Sequence, residues 1–187
     1  MATFAEIVNQ VAGYIRDPSM QPVIIREVNS TCSYLSRTGK FAYDLREQVI
    51  DLEATEGNAA SFLLSELPDF RSVEWIMDFD SGEYFEHVDP RRHTTCFRAY
   101  YLAGAFARLK AAKMPARVQV GYYANPAKMT PNFGHYWMLD VAPDAVAKFT
   151  AASLLDILGD EQAARSVRAE AVIAAEALKP YQSGVRA

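Results

Sequence analysis

Cysteine and histidine are scarce in this chain, with two cysteines, Cys32 and Cys96, and three histidines. Two thiols without a CxxC build no disulfide framework and suit synthesis in a reducing cytoplasm. A Gly-rich phosphate loop and a nucleophile elbow are both missing, which removes the commonest signatures of nucleotide and ester chemistry. No apolar run approaches the roughly 20 residues that span a bilayer, so no membrane partner is expected. Met1 to Gly13 carries Glu6 and helical spacing, so it reads as a helix rather than a signal peptide. Acid is missing from one long stretch: residues 90–139 hold eight Lys or Arg and no Asp or Glu.

Half of the 187 residues are apolar and 12% are aromatic, enough for a packed core. The net charge of -4 argues against a dedicated nucleic-acid binder.

Thr3 and Glu6 form a capping-box pair ahead of Phe4, Ile7, Val8, Val11 and Ile15 at helical spacing. Asp17-Pro18 ends that helix. Ser19 and Pro22 open a second, with Ile24, Val28, Cys32 and Leu35 on one face and Gly39 as its stop. From about Gln48 to Phe85 the strand formers and the Ser81-Gly82 turn read as a run of antiparallel strands. Tyr100 to Lys113 suits either a helix, by its alanines, or two short strands, by its aromatics. Arg117 to Tyr123 alternates as a strand, and Pro126, Pro131 and Gly134 mark a long loop. Pro143, flanked by Asp140 and Asp144, starts a helix with Val146, Phe149, Ser153 and Ile157 on one face. Gly159 caps it, and Asp160 starts another with a stripe of Ala163, Val167, Ala171, Ala174 and Leu178. The tail beyond Pro180 is short and polar and is expected to be loose in the free monomer.

The expected fold is α+β. The N-terminal and C-terminal helix pairs form one helical bundle, because neither short pair can bury its stripe alone, and an antiparallel β region projects from the middle. The expected domains are 1–43 with 140–187 as bundle and C-terminal tail, and 44–139 as a β-rich region with a long loop near 124–135.

Charge is segregated. Residues 44–89 hold two bases and thirteen acids, net -11, and residues 90–139 are net +8. Three readings follow. The two segments neutralise each other inside one chain. Alternatively, the acidic face of one copy meets the basic face of the next, as head-to-tail contacts that close rings do; Arg91, Arg92, Arg98, Asp78, Asp80 and Glu83 are the candidate inter-subunit residues. In the third, Arg91, Arg92, Arg98, Arg108, Lys110, Lys113 and Arg117 face DNA phosphates.

Chemistry finds little purchase. His87, His93 and Cys96, with Asp89 between them, could serve zinc, but the spacing fits no common metal pattern and a fourth ligand must be borrowed. Cys96 beside a histidine could be a nucleophile pair, and Asp78 with Asp80 a carboxylate pair. Thirteen acids in that stretch make close carboxylates inevitable. No catalytic residue, metal ligand or cofactor is assigned. The rival from another class is a small hydrolase or metal-dependent enzyme using the His87–Cys96 neighbourhood.

Three stretches resemble the head–tail adaptor family of tailed bacteriophages. They are TFAEIVNQVAGYIRDP with IIREVNSTCSYLSRTGKFAYDL, in which Asn29 and Leu35 sit at matching places; the strand VEWIMDF; and DVAPDAVAKFTAASLLDILGDEQAARSVRAEAVIAAEAL, with its hinge at Leu158-Gly159-Asp160. The resemblance covers both ends well and the middle loosely. It implies a structural ring subunit without enzymatic activity, commonly twelvefold, at the head–tail junction of the virion. It also implies a portal protein on one side, a tail protein (tube, nozzle or stopper) on the other, and genomic DNA passing through the lumen without sequence-specific binding. The portal-contact residues it suggests are Lys179, Pro180, Tyr181, Gln182, Val185 and Arg186.

Overall fold

The computed structural model describes residues 2–52, 58–91 and 98–182. The chain divides into two compact units, one made of residues 1–43 and 126–187 and the other of residues 44–125.

In the first unit, α1 (Phe4–Ile15) begins at the capping box of Thr3 and Glu6 and ends on Arg16 in the left-handed region. A 3-10 turn at Pro18–Met20 leads into α2 (Gln21–Arg37). The C-terminal part holds the short α3 (Met138–Val141), α4 (Pro143–Ile157) and α5 (Glu161–Ala175), then a 3-10 helix at Glu176–Tyr181. α4 lies against α1, α2 and α5. Its alanines 145, 147, 151 and 152 are fully buried, which lets the neighbouring helices come close. Val11, Ile24, Val28, Met138, Leu139, Val146 and Leu154 fill the core between them. Each such side chain contributes about 1.5–3 kcal/mol on burial. One polar pair sits in this core: the Thr150 hydroxyl meets the Thr31 hydroxyl at 2.9 Å and donates to the Val146 carbonyl at 2.8 Å.

The second unit is a seven-stranded mixed sheet among the described residues, ordered β1-β7-β3-β4-β5-β6-β2. The strands are β1 (Leu45–Asp51), β2 (Ala59–Leu63), β3 (Phe70–Asp78), β4 (Tyr84–His87), β5 (Arg98–Ala103), β6 (Phe106–Ala111) and β7 (Arg117–Ala124). All neighbours are antiparallel except β4 and β5, which run parallel. β1 and β2 are consecutive in sequence yet occupy opposite edges. Six strand spacings would part flat edges by about 29 Å, close to the full extended reach of the step from Asp51 to Ala59. The sheet accordingly curls. Its inner face buries Ile50, Phe62, Ile76, Phe85, Tyr100, Leu109, Val118, Val120 and Tyr122 as a core of its own.

This corrects the expectation of a helical bundle with a projecting antiparallel β region. The middle of the chain is a large mixed sheet that owns a hydrophobic core. The local pattern of strands cannot reveal which strands pair. Of the four strands between Leu45 and His87, only β3 and β4 pair with each other; β1 and β3 pair with the distant β7, and β2 with β6.

The ambiguous stretch resolves into β5 and β6. They are joined by the two-residue loop Gly104-Ala105, with Gly104 at φ 59, as the first position of a type II′ hairpin turn needs. Alternation decides it: Ala107, Leu109 and Ala111 point inward, and Phe106, Arg108 and Lys110 point out. One further expectation fails, and another is corrected in its first two residues. Ile157 is 69% exposed rather than on the buried face of α4. Of the tail expected to be loose, Tyr181 packs on Trp137 and Tyr43 and Gln182 bridges to Phe41, whereas residues 183–187 lie outside the described residues.

Candidate functional site

The charged residues singled out from the sequence meet within the β unit. Arg98, at the start of β5, reaches Asp78 at the end of β3 at 3.1 Å and Glu83 at 2.8 Å, and lies over the Phe85 ring at 5.3 Å. Arg117, at the start of β7, pairs with Asp80 at 2.7 Å and stacks on Phe79 at 4.4 Å. Asp78 also accepts from the backbone amides of Asp80 and Ser81, at 3.0 and 3.2 Å, and so caps the turn that feeds β4. Burial pushes its carboxyl upward, but hydrogen bonds from Ser81, Asp80 and Arg98 outweigh it and hold the group below the ordinary carboxylate range. Two further pairs, Arg71–Asp44 at 3.3 Å and Arg46–Asp69 at 3.4 Å, use up more of the unit's charge. Asp78, Asp80, Glu83 and Arg98 are thus engaged inside one chain. Lys113 completes the rim of a cavity of about 590 Å³ beside them. Arg91 is exposed, its amide bonded to Asp89 at 3.0 Å. Arg92, His93 and Cys96 lie outside the described residues.

His87 packs on Tyr100 at 5.0 Å between ring centroids. No cluster of three or more potential metal ligands occurs among the described residues. Cys32 lies fully buried on α2, and burial pushes its thiol up to about 12, so it remains protonated and unreactive.

At the C-terminus, Lys179 pairs with Glu176, and Pro180 sits within the 3-10 helix. Tyr181 belongs to the aromatic cluster around Trp137, which also takes Phe41, Tyr43 and Tyr136, and Gln182 bridges to Phe41. Val185 and Arg186 lie outside the described residues.

The helical unit carries a groove that charge counting along the sequence missed. It has a volume of about 650 Å³ and runs between α2 and residues 126–130. Asn29 builds its far wall by clamping Met129 in both directions. The Asn29 side-chain Nδ2 donates to the Met129 carbonyl at 3.0 Å, and the Met129 amide donates to the Asn29 side-chain Oδ1 at 2.8 Å. Ile25, Pro126 and Met129 supply apolar lining, and Arg26, Arg37 and Lys128 supply three cations. The available signal was the helical spacing of residues 26, 30, 33 and 37. The missing piece was that the loop after Asn125 packs against them.

Comparison with models of protein families and with curated proteins finds no match.

Proposed function

We propose that this chain is a ring subunit of the head–tail adaptor type, joining the portal of a tailed phage to its tail around the DNA channel. What supports the reading is the joining of the two sequence ends that resemble the family into a single helical unit. α1 and α2 pack with α4, and the Leu158-Gly159-Asp160 hinge turns α4 into α5 with Gly159 at φ 83. Such a subunit needs stiff packing surfaces rather than a reactive centre. Its neighbours are further copies of itself, a portal protein and a tail protein, and the DNA is contacted without reading its sequence.

The test is localisation in the particle. Gold-labelled antibody against the chain should decorate the head–tail junction in electron micrographs, and particles lacking the chain should show heads and tails unjoined. Labelling elsewhere, or none, refutes the proposal. The hydrolase alternative is separately exposed by Cys96→Ala, which should cost no function beyond stability.

A further inference from the structure

We infer that the tip of the α4–α5 hairpin of one copy seats in the α2 groove of a second copy, a contact that would rest on, and specify, the ring reading above. Two features of the same helical unit point to it. The first is the tip. Residues 156–161 are exposed in unbroken succession. At their centre stand two branched aliphatics, Ile157 at 69% and Leu158 at 51% exposure. They are held on a rigid projection. α4 closes with Leu158 and Gly159 amides bonded back to Leu154 and Asp156, and Asp160 caps α5 by accepting from the Ala163 amide. Adjacent large aliphatics on a well-ordered knob are an unpartnered apolar surface.

The second feature is the groove. Its lining is apolar at Ile25, Pro126 and Met129, and Arg26, Arg37 and Lys128 surround it with positive charge. None of these cations is paired with a carboxylate among the described residues. The tip is acidic, with Asp156, Asp160 and Glu161. Arg168 holds Asp156, and Arg165 holds Glu161 at 2.8 Å, which leaves Asp160 as the acid without a basic partner among the described residues. An aliphatic knob bearing a carboxylate without a cation partner matches an apolar groove bearing cations without carboxylate partners.

Intramolecular filling is ruled out by direction. α2 and α4 run antiparallel, with Thr31 against Thr150 and Glu27 bonded to Ser153, so the tip projects past the N-terminal end of α2, away from the groove beside residues 25–37. Knob and groove are different surfaces, so the contact is head-to-tail and propagates into a ring or a filament.

The experiment uses the full chain and sedimentation velocity over micromolar to millimolar concentration. The knob variant is Ile157→Asp with Leu158→Asp, and the groove variant is Arg26→Glu with Lys128→Glu. All four positions are exposed, and far-UV circular dichroism checks that each variant folds. Wild type should self-associate, and each variant alone should be monomeric, weakened at least about tenfold. An equal mixture should give a one-to-one heterodimer and nothing larger, because only one intact knob and one intact groove remain. Wild type that stays monomeric, a variant that assembles like wild type, or a mixture that stays monomeric overturns the contact. A groove variant that self-associates normally but fails to bind portal or DNA overturns it too, in favour of that other occupant. A chain that assembles through this contact yet is missing from the head–tail junction refutes the adaptor reading and leaves the contact standing. Junction labelling with a monomeric mixture does the reverse.

Discussion

Gly121 on β7 allows Trp75 on β3 to lie flat across the strand. A Cβ built at Gly121 would stand 2.2 Å from Trp75 Cε2 and 2.4 Å from its Nε1, well inside contact distance. Gly121→Ala therefore forces the indole to swing away. The backbone there is not in the left-handed region, so alanine itself is conformationally acceptable. Three effects set the magnitude. Overpacking costs about 1–3 kcal/mol. Losing the edge-on contact of Trp75 with Tyr84, whose centroids lie 5.9 Å apart, removes about 0.5–1.5 kcal/mol. Stiffening the unfolded chain returns about 0.4–1 kcal/mol. The net is a loss of about 2 kcal/mol, or roughly 4–8 °C in Tm for a chain of this size. Urea unfolding followed by circular dichroism should show it, with the same substitution repeated in a Trp75→Ala background. Once the ring is gone the clash is gone, so Gly121→Ala should there cost less than about 0.5 kcal/mol or even stabilise. An equal cost in both backgrounds would refute the steric account.

Asn29→Ala removes both bonds to Met129 and should cost about 1–3 kcal/mol; trypsin should then cut after Lys128 faster, and an unchanged cleavage rate would count against the clamp. Asp78→Asn should destabilise by about 1–3 kcal/mol at neutral pH, since it weakens the turn cap and removes the carboxylate that half-buried Arg98 meets at 3.1 Å. Because the folded carboxyl lies below its ordinary value, its contribution is full above the unfolded pKa and is lost as pH falls through the folded one. The gap between wild type and variant should thus narrow below about pH 4, and a gap independent of pH would contradict the assignment. In a Cys96→Ala background, Cys32 should react with a thiol reagent no faster than the protein unfolds, because it is buried and its thiol is pushed up to about 12; rapid labelling of native protein would show otherwise.

The helices were legible from the sequence because their signals are local. The capping box of Thr3 and Glu6, the stop at Asp17-Pro18 and the Gly159-Asp160 hinge each act within a few residues, and each stands where its pattern placed it. Charge segregation was legible too, as a count. What the count could not say is who pairs with whom. Tertiary structure spent Arg98 and Arg117 on Asp78, Glu83 and Asp80 inside one chain, and left Arg26, Arg37 and Lys128 of the helical unit without such partners. The sheet was misjudged for the same reason. Strand propensity is read over a few residues, but the pairing of β1 with β7 and β2 with β6 joins residues 43 to 78 positions apart, from Leu63 with Phe106 to Leu45 with Tyr123. Even Ile157 follows this rule: its spacing suits the buried face of α4, but α4 ends there with no neighbour to cover it, and only the packed chain shows the side chain standing in water. Sequence alone determined the elements whose energetics close within one or two turns. The sheet order, the inward face and the free charges were decided by contacts between distant segments, because burial and pairing depend on what lies across the core.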